Sequence, residues 1–433
     1  MKDIYAELQR ISNAPKNICD YLKQLEYNVE FEQSIPITEN IRQVKAGDIL
    51  ISDMYLPESF IRQLLNKAGL LTPVEIVITN NGKSSGRIWK QIADQKEFVF
   101  HIGDNQDADI KNPRLAGFES AISILSNPTS VERYLLQKNF NFGAYIREIR
   151  LCNPFTEEIN RLYWQLFTVN IGILLLLVQQ LDTLQKTYGF EYLGFCGRDT
   201  YYLRLLYEKY KRELGETPVP NDYLYYSRKL TRNSGEDLAK YFADRIDNRK
   251  ALMIDLFGTG THLHNMRIKF GLSFSVLICL LFNSSDFVKN YYSGMETIKD
   301  CISFIENPDK FMEKNINLYF VKLPNGDIAA SLENLNRATH NSPVRLKAVQ
   351  IGEKIFPKVT FSESNDTEKF EVMERCFNEV LKSKLVVPKL NSKDIEESLR
   401  FLLKVLISSL VQLPLRNQHQ LIDQVDMQYF KVF

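Results

Sequence analysis

The chain has almost no excess charge of either sign: 54 Lys and Arg stand against 53 Asp and Glu in 433 residues. A broad basic face of the kind that holds nucleic acid is therefore not expected. A small anionic ligand needs only a local site and stays open. Paired cysteines are also lacking. The six present, Cys19, Cys152, Cys196, Cys279, Cys301 and Cys376, are scattered without a C-x-x-C pair. That pattern speaks against a disulfide frame or a zinc site and for reduced thiols in a cytoplasmic protein. Long hydrophobic runs are missing too. The longest, residues 171–178, is far short of a bilayer, so no membrane span is expected. Residues 1–8 do not read as a signal peptide. Neither a repeat of fixed period nor a low-complexity tract is found.

What is present points to more than one domain. The length exceeds that of a single ordinary domain. Residues 3–26 read as helix broken near Pro15, and 47–52 as a short buried strand. Residues 57–68 read as helix with Pro57 in its first turn, and 74–79 and 98–102 as further strands. Strands alternating with helices indicate a parallel α/β sheet. Residues 126–130 are a linker. After an apolar helix over about 157–188 the alternation returns, with strands at 192–196, 223–226, 251–255 and 274–282. Each of these four ends in small, polar or charged residues, and ligands of open α/β sheets bind at such carboxyl ends. The organisation expected is a helical region over 1–45, an α/β domain over 46–128, a second over 129–345 and a mainly helical region over 346–433.

Three strings in the first α/β domain belong together. The run Gly103-Asp104-Asn105-Gln106-Asp107-Ala108-Asp109 follows a strand and offers paired carboxylates, the oxygen donors that magnesium prefers. A lysine, Lys83, lies in the small-residue turn 82–86, and the strand 49–55 ends in Ser52-Asp53. A hydroxyl and an ammonium can hold a phosphoryl group while carboxylates hold the metal that neutralises it.

In these strings the chain resembles the haloacid dehalogenase superfamily, and most of all the predicted hydrolases found with bacterial surface-polysaccharide genes. The matching segments are GDILISDMYLP (47–57), KSSGRIW (83–89) and HIGDNQDADIKNP (101–113), in the family order, and the likeness covers about the first 125 residues. The resemblance implies an incomplete Rossmann-like parallel sheet of that type. It makes Ser52 the phosphate-binding hydroxyl, Lys83 the third-motif lysine, and Asp104 and Asp109 the ligands of Mg2+. It also exposes a gap. The family's first motif, a strand ending D-x-D that carries the nucleophile, does not occur before Ser52. Residues 3–8 resemble the family's cap, which follows that motif. Without an attacking Asp the covalent aspartyl-phosphate route is closed. An alternative makes Asp53, in Asp53-Met54-Tyr55, the nucleophile, with Val77-Ile78-Thr79-Asn80 as the second motif and Lys90 as the lysine. His101 reads as a packed or supporting group.

A second site is expected in the second α/β domain. Gly258-Thr259-Gly260-Thr261 joins the strand ending at Asp255 to a helix, a geometry that points backbone N–H groups at phosphate. The segment 253–261 is similar to the phosphate loop of phosphoribosyltransferases, except that Ile254 stands where that family has an acid. Arg198-Asp199 and Ser227-Arg228 end neighbouring strands and would converge on the same edge. His262 and His264, two apart, do not share a helical face and make no metal pair. His340 lies in a polar segment that would close over this site.

Three functional readings follow. The chain is a haloacid dehalogenase-like protein acting on a phosphorylated small molecule or glycan precursor, any activity then residing in the second domain, where a transferase with a phosphoribosyltransferase-like loop is an alternative. Alternatively it is a non-catalytic phosphate-binding or scaffold protein, a pseudoenzyme. In the third reading the nucleophile is encoded upstream of Met1.

Overall fold

The computed structural model describes residues 4–94, 100–196, 200–225, 235–258, 261–281, 301–306, 368–383 and 386–411. The chain divides into two compact units. The first comprises Met1–Thr129 with Arg147–Thr156, and the second Ser130–Ile146 with Glu157–Phe430.

The first unit opens with helices α1 (Ile4–Ser12), α2 (Lys16–Gln33) and α3 (Thr38–Gln43). Pro15 separates α1 from α2, because proline cannot continue a helix but suits its entry. Strand β1 (Ile49–Ser52), helix α4 (Glu58–Lys67), strand β2 (Glu75–Ile78) and helix α5 (Arg87–Ala93) follow, then strand β3 (Phe100–Gly103), helix α6 (Asn112–Leu115) and strand β4 (Glu119–Ile122). Pro57 sits one residue ahead of α4, at its cap. β1 pairs with β2 and β3 with β4, both in parallel, and no ladder joins β1 to β3. One apolar cluster nevertheless spans both ladders. Ile88, Trp89 and Ile92 of α5 pack with Ile49 and Ile51 of β1, Val77 of β2 and Phe118 beside β4. Trp89 also meets His101 of β3 edge-on at 4.5 Å between ring centres. α5 is thus the common support of two short ladders.

The second unit holds α7 (Ser130–Lys138), most of α8 (Phe140–Leu151), and α9 (Glu158–Tyr188). It continues with β5 (Tyr192–Cys196), α10 (Thr200–Glu213), β6 (Asn221–Leu224), α11 (Gly235–Ile246) and β7 (Ala251–Gly258). Then come α12 (Thr261–Phe270), β8 (Ser275–Leu281), β9 (Cys301–Glu306), α13 (Glu368–Lys382) and α14 (Ser392–Val411). Its five strands form one parallel sheet in the order β6-β5-β7-β8-β9. Every residue of β5 is buried, as expected of a parallel strand covered on both faces. α9 packs against α10, α13 and α14. Its stretch Phe167–Tyr188 is long and apolar enough to cross a membrane, which the eight-residue run in the sequence did not suggest, but 89% of its most apolar window is buried within the protein. It is the core helix of this unit.

Candidate functional site

The turn after β2 is organised by Asp53. Its carboxylate accepts hydrogen bonds from the Thr79 hydroxyl, the Lys83 N–H (2.9 Å), the Ser84 N–H (2.8 Å) and the Ser84 hydroxyl (2.8 Å). Burial alone would raise its pKa, yet these donors outweigh burial and hold it below the usual carboxylate range. Both oxygens are therefore engaged in pinning the turn that carries Lys83. Gly86, at φ +79°, closes that turn and starts α5.

Asp109 is the buried acid of the site. Its Oδ1 lies 2.7 Å from Lys83 Nζ and 2.9 Å from His101 Nε2, while Oδ2 accepts from the Asn105 N–H at 3.0 Å. The side chain is almost wholly buried. Burial pushes its pKa up, but the bonds from His101 and Lys83 and the Asn105 amide more than reverse that, and the carboxyl titrates well below its ordinary value. A π-helical turn, Gln106–Lys111, presents Asp109, and Asn105 caps it by accepting from the Asp107 and Ala108 N–H groups. Asn112 then donates to the carbonyls of Lys83 (3.2 Å) and Ser84 (2.9 Å). The lysine turn and the acidic turn are cross-braced at three points.

Asp53, Lys83, His101 and Asp109 thus form one connected cluster at the carboxyl ends of β1 and β3. Ser52 is the last residue of β1, half-buried, and its hydroxyl accepts from the Met54 N–H at 3.2 Å. Asp104 is exposed and accepts from the Ser126 hydroxyl at 3.0 Å, while the Ser126 carbonyl is held by Arg147. Ser84, Asn105, Asn112 and Ser126 were not singled out in the sequence, and Thr79 only within the second motif of the alternative with Asp53 as nucleophile. Their signal is only that small polar residues cluster after each strand, which is equally the signal of an ordinary turn. Lys90, the lysine of the alternative with Asp53 as nucleophile, lies on the exposed side of α5.

Among the described residues no group of three or more His, Cys, Asp or Glu is placed to hold a metal ion. The donors do not fit magnesium as they stand. Asp109 has both oxygens committed, one of them to an ammonium that supplies the positive charge a cation would bring. Asp104 and Asp107 are exposed, but Asp104 is bonded to Ser126 and Asp107 stands beside Lys111.

In the second unit, β6 and β7 lie on opposite sides of β5, so the chain reverses direction across the sheet between β5 and β7. Their register pairs Phe195 with Ile254. Ligands of doubly wound sheets bind outside the strands' carboxyl ends at such a switch point. β5 leads into α10, where the Thr200 hydroxyl donates to the Cys196 carbonyl at 2.9 Å, and β7 leads through Gly258 into α12 at Thr261. Asp255 is half-buried on β7. Burial and the nearby Asp255 charge push the Cys196 thiol well up, so it stays protonated. Arg198, Asp199, Ser227, Arg228, Thr259, Gly260 and His340 lie outside the described residues. His264 is buried, with Nδ1 3.3 Å from an Arg267 nitrogen.

No protein-family model matches the chain, and no curated protein is significantly similar to it.

Proposed function

We propose that this is a phosphoryl-binding protein of sugar-phosphate or glycan-precursor metabolism, whose first unit is a haloacid dehalogenase-like domain without a working nucleophile. The observation that carries this reading is the double attachment of Lys83. Its N–H is bonded to Asp53 after β1 and its ammonium to Asp109 after β3, so the strings of the resemblance converge on one residue. Lys83 and the Ser52 hydroxyl are the groups that would meet a phosphoryl oxygen. Asp53 is spent on the turn, and a carboxylate saturated by four donors is a poor attacking group. The resemblance implies Mg2+, but the commitment of Asp109 to Lys83 and His101 gives it no open seat, and no step is derived through it.

Binding without hydrolysis is expected. Calorimetric titration with a hexose phosphate should show saturable binding that Lys83→Met weakens at least tenfold, with p-nitrophenyl phosphate left intact. Magnesium-dependent turnover abolished by Asp53→Asn would overturn the reading and restore Asp53 as nucleophile.

A second reading places transferase chemistry in the second unit. The strand order favours it, because two of the three loops singled out as phosphate-binding follow β5 and β7, the strands that flank the switch point. In this reading Asp255, Gly258 and Thr261 belong to the phosphate loop.

A further inference from the structure

The hairpin made by α1 and α2 carries an apolar surface that nothing among the described residues covers. On α1, Ile4, Leu8 and Ile11 recur at helical spacing, and all are exposed. On α2, Ile18, Leu22, Leu25 and Val29 repeat the same spacing, with Tyr21 beside them. These eight residues are 39 to 68% exposed, whereas α1 buries no residue and α2 buries only Cys19. A two-helix hairpin with so little core is not self-supporting in water.

The hairpin is nevertheless fixed in place along its other side. Tyr27 packs on Phe60 of α4 at 4.8 Å between ring centres. Glu26 accepts hydrogen bonds from the hydroxyls of Tyr5 and Tyr55. Lys67 donates to the carbonyls of Phe31, Glu32 and Ser34 at the end of α2. At 100° per residue, Glu26 and Cys19 lie about 80–100° around α2 from Ile18 in the open stripe and Tyr27 lies opposite it. It is a held surface facing outward.

We propose that this surface is the interface for a second copy of the chain, two hairpins closing around a two-fold axis into a four-helix bundle. Area argues for it. The open apolar residues present roughly 800 Å² per copy, about the contribution each partner makes to a stable interface. Charge argues for it too. At the edge of the α1 stripe Glu7 is paired with Arg10, so both signs stand where a second copy would meet it. The spacing matches antiparallel packing of apolar stripes about two turns long on α1 and about three on α2. The interface reaches toward the candidate site, because Glu26, on the same helix, holds Tyr55 two residues beyond Asp53.

Sedimentation equilibrium of the full chain tests this. A dimer is expected at micromolar concentration. The double variant Ile18→Glu, Leu25→Glu should raise the dimer dissociation constant by at least ~100-fold, since each copy would bury two unpaired carboxylates. Both positions are exposed in the single chain, and an unchanged circular dichroism spectrum will show that the variant still folds. Oxidation of a Leu22→Cys variant should give a disulfide-linked dimer, whereas Gln24→Cys, on the opposite face of α2, should not. A monomer at 100-fold higher concentration overturns the proposal. So does a dimer indifferent to the double substitution, and so does a face that instead binds lipid vesicles or helical peptides as a monomer.

Discussion

At Gly103 a side chain has no room. A methyl group there would overlap the carboxyl of Asp109, which cannot swing aside because Lys83, His101 and the Asn105 amide hold it. Gly103→Ala should therefore destabilise the first unit by about 1–3 kcal/mol, the usual cost of overpacking, measured by urea unfolding. The same acid sets an acid limb of stability. Its pKa in the folded protein lies below the ordinary 3.8, so its contribution is complete above that value and is lost as pH falls toward the folded-state pKa. Asp109→Asn should be less stable than the native chain at neutral pH, and the difference should shrink below about pH 4. A constant difference across pH 2–7 would show that the charge of Asp109 is not what stabilises. Asp109 and Lys83 were legible because Gly-Asp and Gly-Lys turns stand out in sequence. That they bind each other was not, since a salt bridge across two loops leaves no spacing signal.

Two glycines show how packing between elements overrides local preference. Gly143 lies inside α8, where alanine would gain about 1 kcal/mol by helix propensity alone. A Cβ there, however, would strike the backbone of Leu136 in α7, with its Cα only 2.7 Å away. Backbone does not yield as side chains do, so Gly143→Ala should destabilise by about 1–3 kcal/mol despite its better propensity. Gly194 in β5 is the contrast. Its Cβ would meet the Met253 sulfur at 2.5 Å and Leu224 Cδ1 at 2.7 Å, the movable ends of flexible side chains. Gly194→Ala should cost about 1 kcal/mol or less, and thermal unfolding of the two variants side by side checks the order. Strands β1, β2, β3, β5, β7 and β8 were readable because each is a compact apolar run between turn residues. β6 was placed two residues late, the aromatic Tyr225 drawing the reading past its end at Leu224. β4, only Glu-Ser-Ala-Ile, has no such run; it is defined by pairing with β3. Helix α11 follows a polar stretch that hides its start.

At the scale of the whole molecule, the two units lend unequal support to the proposed phosphate recognition. The first unit offers one ammonium, Lys83, already balanced by Asp109. It has no surplus positive charge for an anion unless that pair opens. The second unit offers the starts of two helices, α10 with 14 residues and α12 with 10, behind neighbouring parallel strands. Each such start carries about half a positive charge, without requiring an ion pair to break. Inorganic phosphate at millimolar concentration should slow hydrogen exchange at residues 79–86 when Lys83 is the anion's partner, as proposed, and at the first turns of α10 and α12 when the second reading holds. Lys83→Met should remove any protection in the first unit and leave that at the helix starts untouched. Mass spectrometry of exchanged peptic peptides resolves these segments. Protection confined to the helix starts would move anion recognition to the second unit, because a ligand that leaves 79–86 unchanged has supplied no free energy to draw Lys83 from Asp109.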